Sequence, residues 1–216
     1  MPPAPLPGRR QGLGAGGGAG APARARRRRG APLRQLRRQP HAPSVQACVE
    51  QALSHVAAEP INVQCAGRTD TGVHALGQVI HFDTQVERSL RSWLLGANSN
   101  LPESIAIQRV QPMSEDFHAR FSARARSYRY VISNQVSRSA LLVGKATWCV
   151  KPLDVERMQQ AANSLLGKHD FTSFRALACQ ANTPIRTLHE LRLRREGSLV
   201  ILDVTANAFL HHMVRN

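Results

Sequence analysis

The stretch CAGRTDTGVHALGQVIHFDT, residues 65–84, places a polar, glycine-containing loop directly before a segment with the composition of a β-strand. Residues 78–83 are β-branched and aromatic enough to favour a strand. In the preceding loop, Gly67 and Gly72 flank Asp70, and glycines let a loop come close to a partner. The stretch therefore predicts a strand whose leading loop carries an aspartate.

Helices and strands are mixed on both sides of this stretch. Ser44 and Asp154 are N-cap residues, each followed by apolar residues at helical spacing, and Gly167 suits the end of the second of these helices. The other predicted elements are a helix at 89–97, the start of a helix at 207–216, and strands at 61–65, 105–110, 128–132, 147–150, 187–194 and 199–204. This mixture predicts an α+β fold, a mixed, mostly antiparallel sheet with helices packed on it.

Composition divides the chain into three parts. Residues 1–37 are rich in Pro, Gly, Ala and Arg, which predicts a low-complexity, disordered tail. Two units of similar shape, each a helix followed by strands, are expected at 38–140 and 141–216. The first of them contains the Gly-Arg-Thr-Asp loop and would be the catalytic half if Asp70 is a catalytic residue.

The formal net charge of +15 is unevenly distributed. Residues 1–43 contain ten arginines and no acidic residue, whereas the remainder has 19 basic and 14 acidic residues, a net charge of +5. A mildly basic body is compatible with RNA binding but does not establish it. No apolar run approaches the ~18 residues of a membrane span, and the N-terminus lacks the apolar region of a secretory signal. A cytoplasmic protein with no membrane partner is expected.

The cysteines are far apart, with no Cys-x-x-Cys and no zinc-ligand spacing; they are Cys48, Cys65, Cys149 and Cys179. Reduced, mostly buried thiols are the expected state. The spacing indicates neither a structural metal nor a disulfide framework.

Asp70 also begins the tripeptide Asp-Thr-Gly, which occurs in aspartic proteases. Such a site needs two facing carboxylates that share a proton, and the chain contains Asp-Thr-Gly once. The cation of Arg68, two residues upstream, would favour the ionised carboxylate and oppose the shared proton. These two features disfavour the protease interpretation.

A metal hydrolase is another alternative, with candidate ligands at Asp70, His74, His81, Asp83, His211 and His212. The first two have helical spacing, but Gly72 and Gly77 argue against a continuous helix. Nine histidines in 216 residues produce such spacings by chance. We therefore expect a surface or core role for each histidine and no metal site.

Three further stretches accompany residues 65–84: FHARFSARARSYRYVI at 117–132, HDFTSFRA at 169–176 and NAFLHHMVRN at 207–216. In this order, the four segments resemble the TruA family of tRNA pseudouridine synthases. The resemblance covers about residues 38–216. Four matched segments at plausible separations are far more specific than any one of them.

The resemblance implies a cofactor-free isomerase that detaches uracil from its ribose, turns it, and rejoins it through C5 to C1′. The implied substrate is uridine in the anticodon stem-loop of tRNA, of the type at tRNA positions 38–40. The family's essential aspartate corresponds to Asp70. It could attack ribose C1′, add to C6 of the base, or remove a ribose proton, and each pathway needs an ionised carboxylate.

Three more residues match positions around the family's target nucleotide. Arg215 matches the arginine that pairs with the catalytic aspartate, and a fixed cation would keep that carboxylate ionised beside RNA phosphates. Tyr128 matches the tyrosine that stacks on the target base, which would offset the cost of extruding it; a core strand tyrosine is the alternative. Arg68 would occupy the gap left by the nucleotide or bind its phosphates.

Four other arginines are candidates for RNA phosphate contact: Arg120, Arg124, Arg126 and Arg175. The implied fold has two related α+β halves around a central cleft. The implied assembly is a homodimer that holds one tRNA across both subunits.

The chain departs from the family pattern in two places. The hydrophobic strand expected ahead of the first helix is replaced by residues 1–36, and we hypothesise that this tract is a reading-frame artefact of GC-rich DNA. The chain also stops at Asn216, inside the last motif, so the C-terminal half would be truncated. We expect weak or no activity for this incomplete copy, with a non-catalytic RNA-binding protein as the alternative.

Overall fold

The computed structural model describes the backbone of residues 9–15 and the whole of residues 44–216. The chain divides into two compact units: the first ends at Ala123, and the second covers Arg124–Asn216. This boundary lies earlier in the chain than the one predicted after residue 140. Each unit is described by itself below.

The first unit contains one sheet and two helices. Its elements are β1 (Arg9–Ala15), α1 (Val45–Ala57), β2 (Gln64–Cys65), β3 (Gln78–Thr84), α2 (Leu90–Asn100) and β4 (Ile107–Met113). The strand order is β2-β3-β1-β4, and every neighbouring pair is antiparallel.

Both helices of the first unit begin where the sequence predicts, α1 after the predicted cap Ser44 and α2 after Ser89, the predicted first residue of its helix. The Ser44 hydroxyl accepts the Ala47 N–H at 3.2 Å, and the Ser89 hydroxyl accepts the Ser92 N–H at 3.0 Å, so each cap satisfies a backbone donor of a first helical turn. The core of this unit includes the Phe82 and Trp93 rings, both almost fully buried, which meet edge to face at 5.1 Å.

Strand β1 is the main departure from the sequence-based expectation. Composition predicts a disordered tail at 1–37, but β1 lies in the middle of the sheet, paired on one side with β3 and on the other with β4. The prediction is wrong for these seven residues. Composition reports local preference, whereas β1 is held by backbone hydrogen bonds to strands far along the chain. The rest of the predicted tail lies outside the described residues.

The second unit contains a five-stranded sheet and one helix. Its elements are β5 (Arg126–Asn134), β6 (Thr147–Cys149), α3 (Val155–Asn163), β7 (Gly167–Asp170), β8 (Ile185–Glu196) and β9 (Leu199–Ala206), with short 3-10 turns at Ala140–Leu142 and Thr172–Phe174. The strand order is β6-β5-β9-β8-β7. Only the pair β5–β6 is parallel among these neighbours. The predicted α+β class, with a mixed and mostly antiparallel sheet, is confirmed.

Helix α3 begins as predicted, since the Asp154 carboxylate accepts the Arg157 N–H at 3.0 Å. Its predicted end is wrong. The helix stops at Asn163, and Gly167, with a φ of 94°, instead opens β7. Only glycine adopts this φ easily, so the residue marks the turn into the strand rather than a helix end.

Residues 207–210 are irregular and residues 211–215 form turns, so the helix predicted there is wrong. His212 has a φ of 63°, in the left-handed region, and a right-handed helix cannot continue through such a residue. The helices in the described part of the chain, residues 9–15 and 44–216, all lack the length and apolar character needed to cross a membrane.

Candidate functional site

The Gly-Arg-Thr-Asp loop is anchored at its base to the start of β3. The Ala66 N–H donates to the Val79 carbonyl at 2.9 Å. The Gln78 side-chain amide donates to the Gly67 carbonyl at 2.7 Å. These bonds fix the direction in which the chain leaves the sheet immediately before Arg68 and Asp70.

A tight turn follows at residues 70–73. The Asp70 carbonyl accepts the Val73 N–H at 3.1 Å, and Gly72, the third residue of the turn, has a φ of 81°. This combination is that of a type II turn, which favours glycine at its third position. Asp70 is half-buried, so the turn holds its carboxylate at the protein surface without full solvent exposure.

Two exposed arginines, Arg68 and Arg120, lie near Cys65 at the end of β2. Burial raises the pKa of the Cys65 thiol, and the positive charges of both arginines oppose that rise. Charges act on a thiol in this way only over short distances. Arg68 and Arg120, which are separated by 52 positions in sequence, thus both act on the Cys65 thiol.

The segment 114–123, which carries Arg120, is fixed to the sheet through His81. The His81 imidazole is 2% exposed, and its Nδ1 accepts the Ala119 N–H at 3.1 Å. Its ring also contacts those of Phe117 and His118, with centroid distances of 6.0 and 4.6 Å. His81, one of the candidate metal ligands, thus has the core role that was expected for it.

Tyr128 lies on β5 in the second unit. It is half-buried, and its ring meets the Phe209 ring edge to face at 5.0 Å. The neighbouring inward tyrosine, Tyr130, pairs its hydroxyl with that of Thr147. The contact with Phe209 restricts the orientation of the Tyr128 ring, the ring that the sequence assigns to the target base.

Arg124 and Arg126 stand at the start of the second unit. Arg124 is exposed, whereas Arg126 is half-buried and its guanidinium donates to the Asn207 carbonyl at 3.3 Å. Asn207 also accepts the Thr187 N–H through its side chain at 3.1 Å. Asn207 opens the last matched motif, but the sequence does not single it out. In the structure, Asn207 joins three chain segments.

Arg215 is exposed and follows the left-handed His212. The Arg215 N–H donates to the His212 carbonyl at 2.8 Å, and the Met213 N–H donates to the Leu210 carbonyl at 3.1 Å. Leu210 and Met213 are buried in the second core. The backbone that carries Arg215 is therefore held by two buried neighbours and two turn bonds.

Arg175 has intramolecular partners. One guanidinium nitrogen donates to the Cys179 carbonyl at 2.9 Å and to the Ala181 carbonyl at 2.7 Å. Burial alone would raise the pKa of the Cys179 thiol, but hydrogen bonds from His211 and Ala181 and the charge of Arg175 outweigh burial, so the pKa is lowered.

The predicted site residues divide between the units. Asp70, Arg68 and Arg120 belong to the first unit, and the others belong to the second: Tyr128, Arg124, Arg126, Arg175 and Arg215. The sequence also does not single out Gln78, whose amide holds the loop. Its position directly after the Gly-Arg-Thr-Asp loop is the signal that could have identified it.

An anchored aspartate loop on an α+β domain with nearby arginines suits an RNA-modifying enzyme, and comparison with known proteins defines the class. The family model described as tRNA pseudouridine synthase matches residues 33–122 and 161–216. The chain belongs to the tRNA pseudouridine synthase family. Within it, relatives more than half identical to this chain carry the name tRNA pseudouridine synthase A, which confirms the resemblance to the TruA family.

Three such relatives illustrate the similarity. The chain is 56% identical to tRNA pseudouridine synthase A of Pseudomonas aeruginosa over 180 residues, which are 83% of this chain and 63% of the relative. The protein of that name from Hydrogenovibrio crunogenus is 54% identical over 83% of this chain and 69% of its own length. The protein of that name from Methylococcus capsulatus is 58% identical over 80% of this chain and 64% of its own length. The chain thus spans about two thirds of the length of these relatives.

Proposed function

We propose that this protein is a tRNA pseudouridine synthase, an isomerase that converts uridine to pseudouridine in the anticodon stem-loop of tRNA. The observation that carries the proposal is the Gly-Arg-Thr-Asp loop itself. It places a half-buried carboxylate, Asp70, on a turn that is bonded to β3 at its base. Family membership and the names of the relatives support the same reaction.

The reaction breaks the bond between N1 of uracil and C1′ of ribose and forms a bond between C5 and C1′. The hydrogen on C5 leaves and N1 gains one, so the composition of the nucleotide is unchanged. No electron acceptor or donor is required, which agrees with a reaction without cofactor. Asp70 acts as the ionised carboxylate, either on the sugar or on the base.

Arg215 and Tyr128 complete the proposed site. Arg215 would neutralise the Asp70 carboxylate once RNA phosphates and the base exclude water, because an unpaired charge is costly in a dry site. Tyr128, whose ring contacts that of Phe209, would stack on the extruded uracil. Stacking on a flat ring replaces part of the energy lost when the base leaves the helix.

The RNA backbone would contact exposed arginines. Arg68 and Arg120 are exposed in the first unit, and Arg124 is exposed at the start of the second. Each phosphate contact contributes affinity that falls with salt concentration. We further propose that the enzyme acts as a homodimer on one tRNA and that it works in the cytoplasm, where its four free cysteines would stay reduced.

A non-catalytic RNA-binding protein on the same fold is the second candidate, and the exposed arginines near Cys65 favour it as much as they favour an enzyme. Asp70→Asn separates the two. The variant keeps the size of the side chain and the turn but removes the charge. An enzyme would lose turnover while tRNA affinity stays within about twofold of the parent, a range set by one lost charge near the RNA. A parent that binds tRNA tightly yet converts no uridine would support the binding protein.

A further inference from the structure

The loop at residues 174–181 is joined to the segment at residues 207–216 by three hydrogen bonds. The Ala176 N–H donates to the His211 carbonyl at 3.1 Å, and the His211 N–H donates to the Cys179 sulfur at 3.4 Å. The Asn216 side-chain amide donates to the Phe174 carbonyl at 3.2 Å. These bonds reach both sides of His212, so the loop holds the segment along most of its length.

Residues 207–216 depend on such contacts for their conformation. They are irregular or form turns rather than a helix or a strand, and His212 adopts a left-handed φ. A backbone without its own ladder of hydrogen bonds takes its shape from its neighbours. The loop at 174–181 therefore acts together with the buried Leu210 and Met213 in setting where the backbone of Arg215 lies.

Arg175 closes that loop. A single guanidinium nitrogen donates to the carbonyls of Cys179 and Ala181 at 2.9 and 2.7 Å. That nitrogen has two hydrogens, so both are used inside the protein. Hydrogen bonds from a charged donor are stronger than those between neutral groups. The side chain is half-buried, as is Cys179 at the other end of the closed turn.

We propose that Arg175 is a positioning residue: it closes the loop at 174–181 on the segment 207–216 and thereby fixes Arg215, and it does not bind the RNA backbone. This role rests on the proposed function, in which Arg215 neutralises Asp70. It departs from the role of phosphate contact that the sequence suggests for Arg175. A guanidinium that uses two of its five N–H donors, and one whole nitrogen, on two carbonyls cannot present its full fork to a phosphate.

The test compares Arg175→Ala with the parent chain and with Arg192→Ala, a matched control at an exposed arginine of β8 in the same unit. Hydrogen exchange measured by mass spectrometry reports on peptides covering 174–181 and 207–216, with no RNA present. Affinity for a tRNA transcript is measured at several salt concentrations. Turnover is measured as kcat and KM on the same transcript.

Three results are expected of Arg175→Ala. Exchange becomes faster in both segments, while peptides from β8 and β9 keep the parental rate. The slope of log affinity against log salt stays at the parental value. kcat falls on the order of 10- to 100-fold, the scale of a misplaced group, with KM little changed. Arg192→Ala matches the parent in all three measurements. Arg175→Lys, which keeps the charge but lacks the planar fork, shows intermediate exchange.

Other results overturn the proposal. Parental exchange in 207–216 would show that Arg175 does not hold the segment. Faster exchange throughout the second unit would show a general loss of stability instead of a local one. A salt slope lower by about one would identify Arg175 as a phosphate contact. If kcat stays at the parental value while hydrogen exchange becomes faster, the position of the loop does not affect catalysis. If the parent itself converts no uridine, the proposed function fails, and the exchange data still decide whether Arg175 holds the segment.

Discussion

The buried imidazole of His81 accepts the backbone N–H of Ala119, 38 residues away in sequence, at 3.1 Å. This bond joins β3, which begins at the base of the Gly-Arg-Thr-Asp loop, to the segment that carries Arg120. It also fixes the roles of the imidazole nitrogens, since an Nδ1 that accepts a hydrogen bond carries no proton. Two parts of the proposed RNA surface thus share one buried polar contact.

His81→Phe is expected to lower the free energy of unfolding of the first unit by about 1–3 kcal/mol. Phenylalanine keeps an aromatic ring next to Phe117 and His118 but cannot accept the Ala119 N–H, which would be left buried without a partner. Urea denaturation followed by circular dichroism measures the change. His55→Phe, at an exposed position of α1, is the control and should stay within about 0.5 kcal/mol of the parent. Equal effects of the two substitutions would contradict the importance of the bond.

Gly96→Ala is expected to destabilise the packing of α1 on α2 by about 1–3 kcal/mol. A Cβ at this position would lie 2.9 Å from a γ-methyl of Val56, and the β-branched valine cannot turn away easily. In the background of Val56→Ala, the same change should be neutral or stabilising, because alanine is the better helix former. Thermal unfolding of the four variants in this cycle measures the coupling. Purely additive effects would refute the contact.

Asp203→Asn is expected to lower stability by about 1 kcal/mol at neutral pH, since Asp203 binds both Arg129 and Arg194 on one face of the second sheet. Its hydrogen bond with Arg129, helped by Arg194, holds the pKa of Asp203 below its ordinary value. The stabilisation is therefore complete above the unfolded pKa of about 4 and is lost as pH falls through the folded value.

Denaturation of the parent and Asp203→Asn at pH 7 and below pH 4 measures this difference. The gap between the two proteins should close in acid. Glu196→Gln is the control, because Glu196 is more exposed and contacts Arg194 alone in this network. A gap that persists or widens in acid would contradict the ion-pair explanation.

Cys179 is expected to react with iodoacetamide several-fold faster than Cys48 or Cys65 at pH 7. The pKa of Cys179 is lowered by its hydrogen bonds and by Arg175, whereas burial raises the pKa of the other two thiols. The thiolate is the reactive form, so a lower pKa gives more of it at neutral pH. As pH rises, the labelling rate at Cys179 should also reach its plateau at a lower pH than the rates at Cys48 and Cys65. Peptide mass spectrometry assigns the labelled residue, and Cys179→Ser confirms the assignment. Preferential labelling of Cys65 would contradict this ranking.

The local parts of the fold could be predicted because their causes are local. Ser44, Ser89 and Asp154 each cap a helix where the sequence places one, and each cap depends on a hydroxyl or carboxylate within three residues of its donor. The α+β class follows from the alternation of such elements. The loop around Asp70 could be identified because its glycines and polar residues are contiguous.

The long-range parts could not be predicted from local patterns. β1 is a strand because it pairs with β3 and β4, not because Arg, Gly and Gln favour strands. The apolar spacing in 207–216 suggests a helix, but the bonds between that segment and the loop at 174–181 hold it in turns. Arg175 could be recognised as part of a motif, yet its two carbonyl partners depend on how the loop folds.

The central claim is our proposal that Asp70 carries the isomerisation of uridine, at the weak level expected of this incomplete copy. The most direct measurement incubates an unmodified tRNA transcript with excess protein and maps pseudouridine by carbodiimide labelling and primer extension. The account predicts a new labelled position in the anticodon stem-loop that forms with the parent and is absent with Asp70→Asn. A labelled position that forms equally with Asp70→Asn, or none at any time although the transcript is bound, would contradict it.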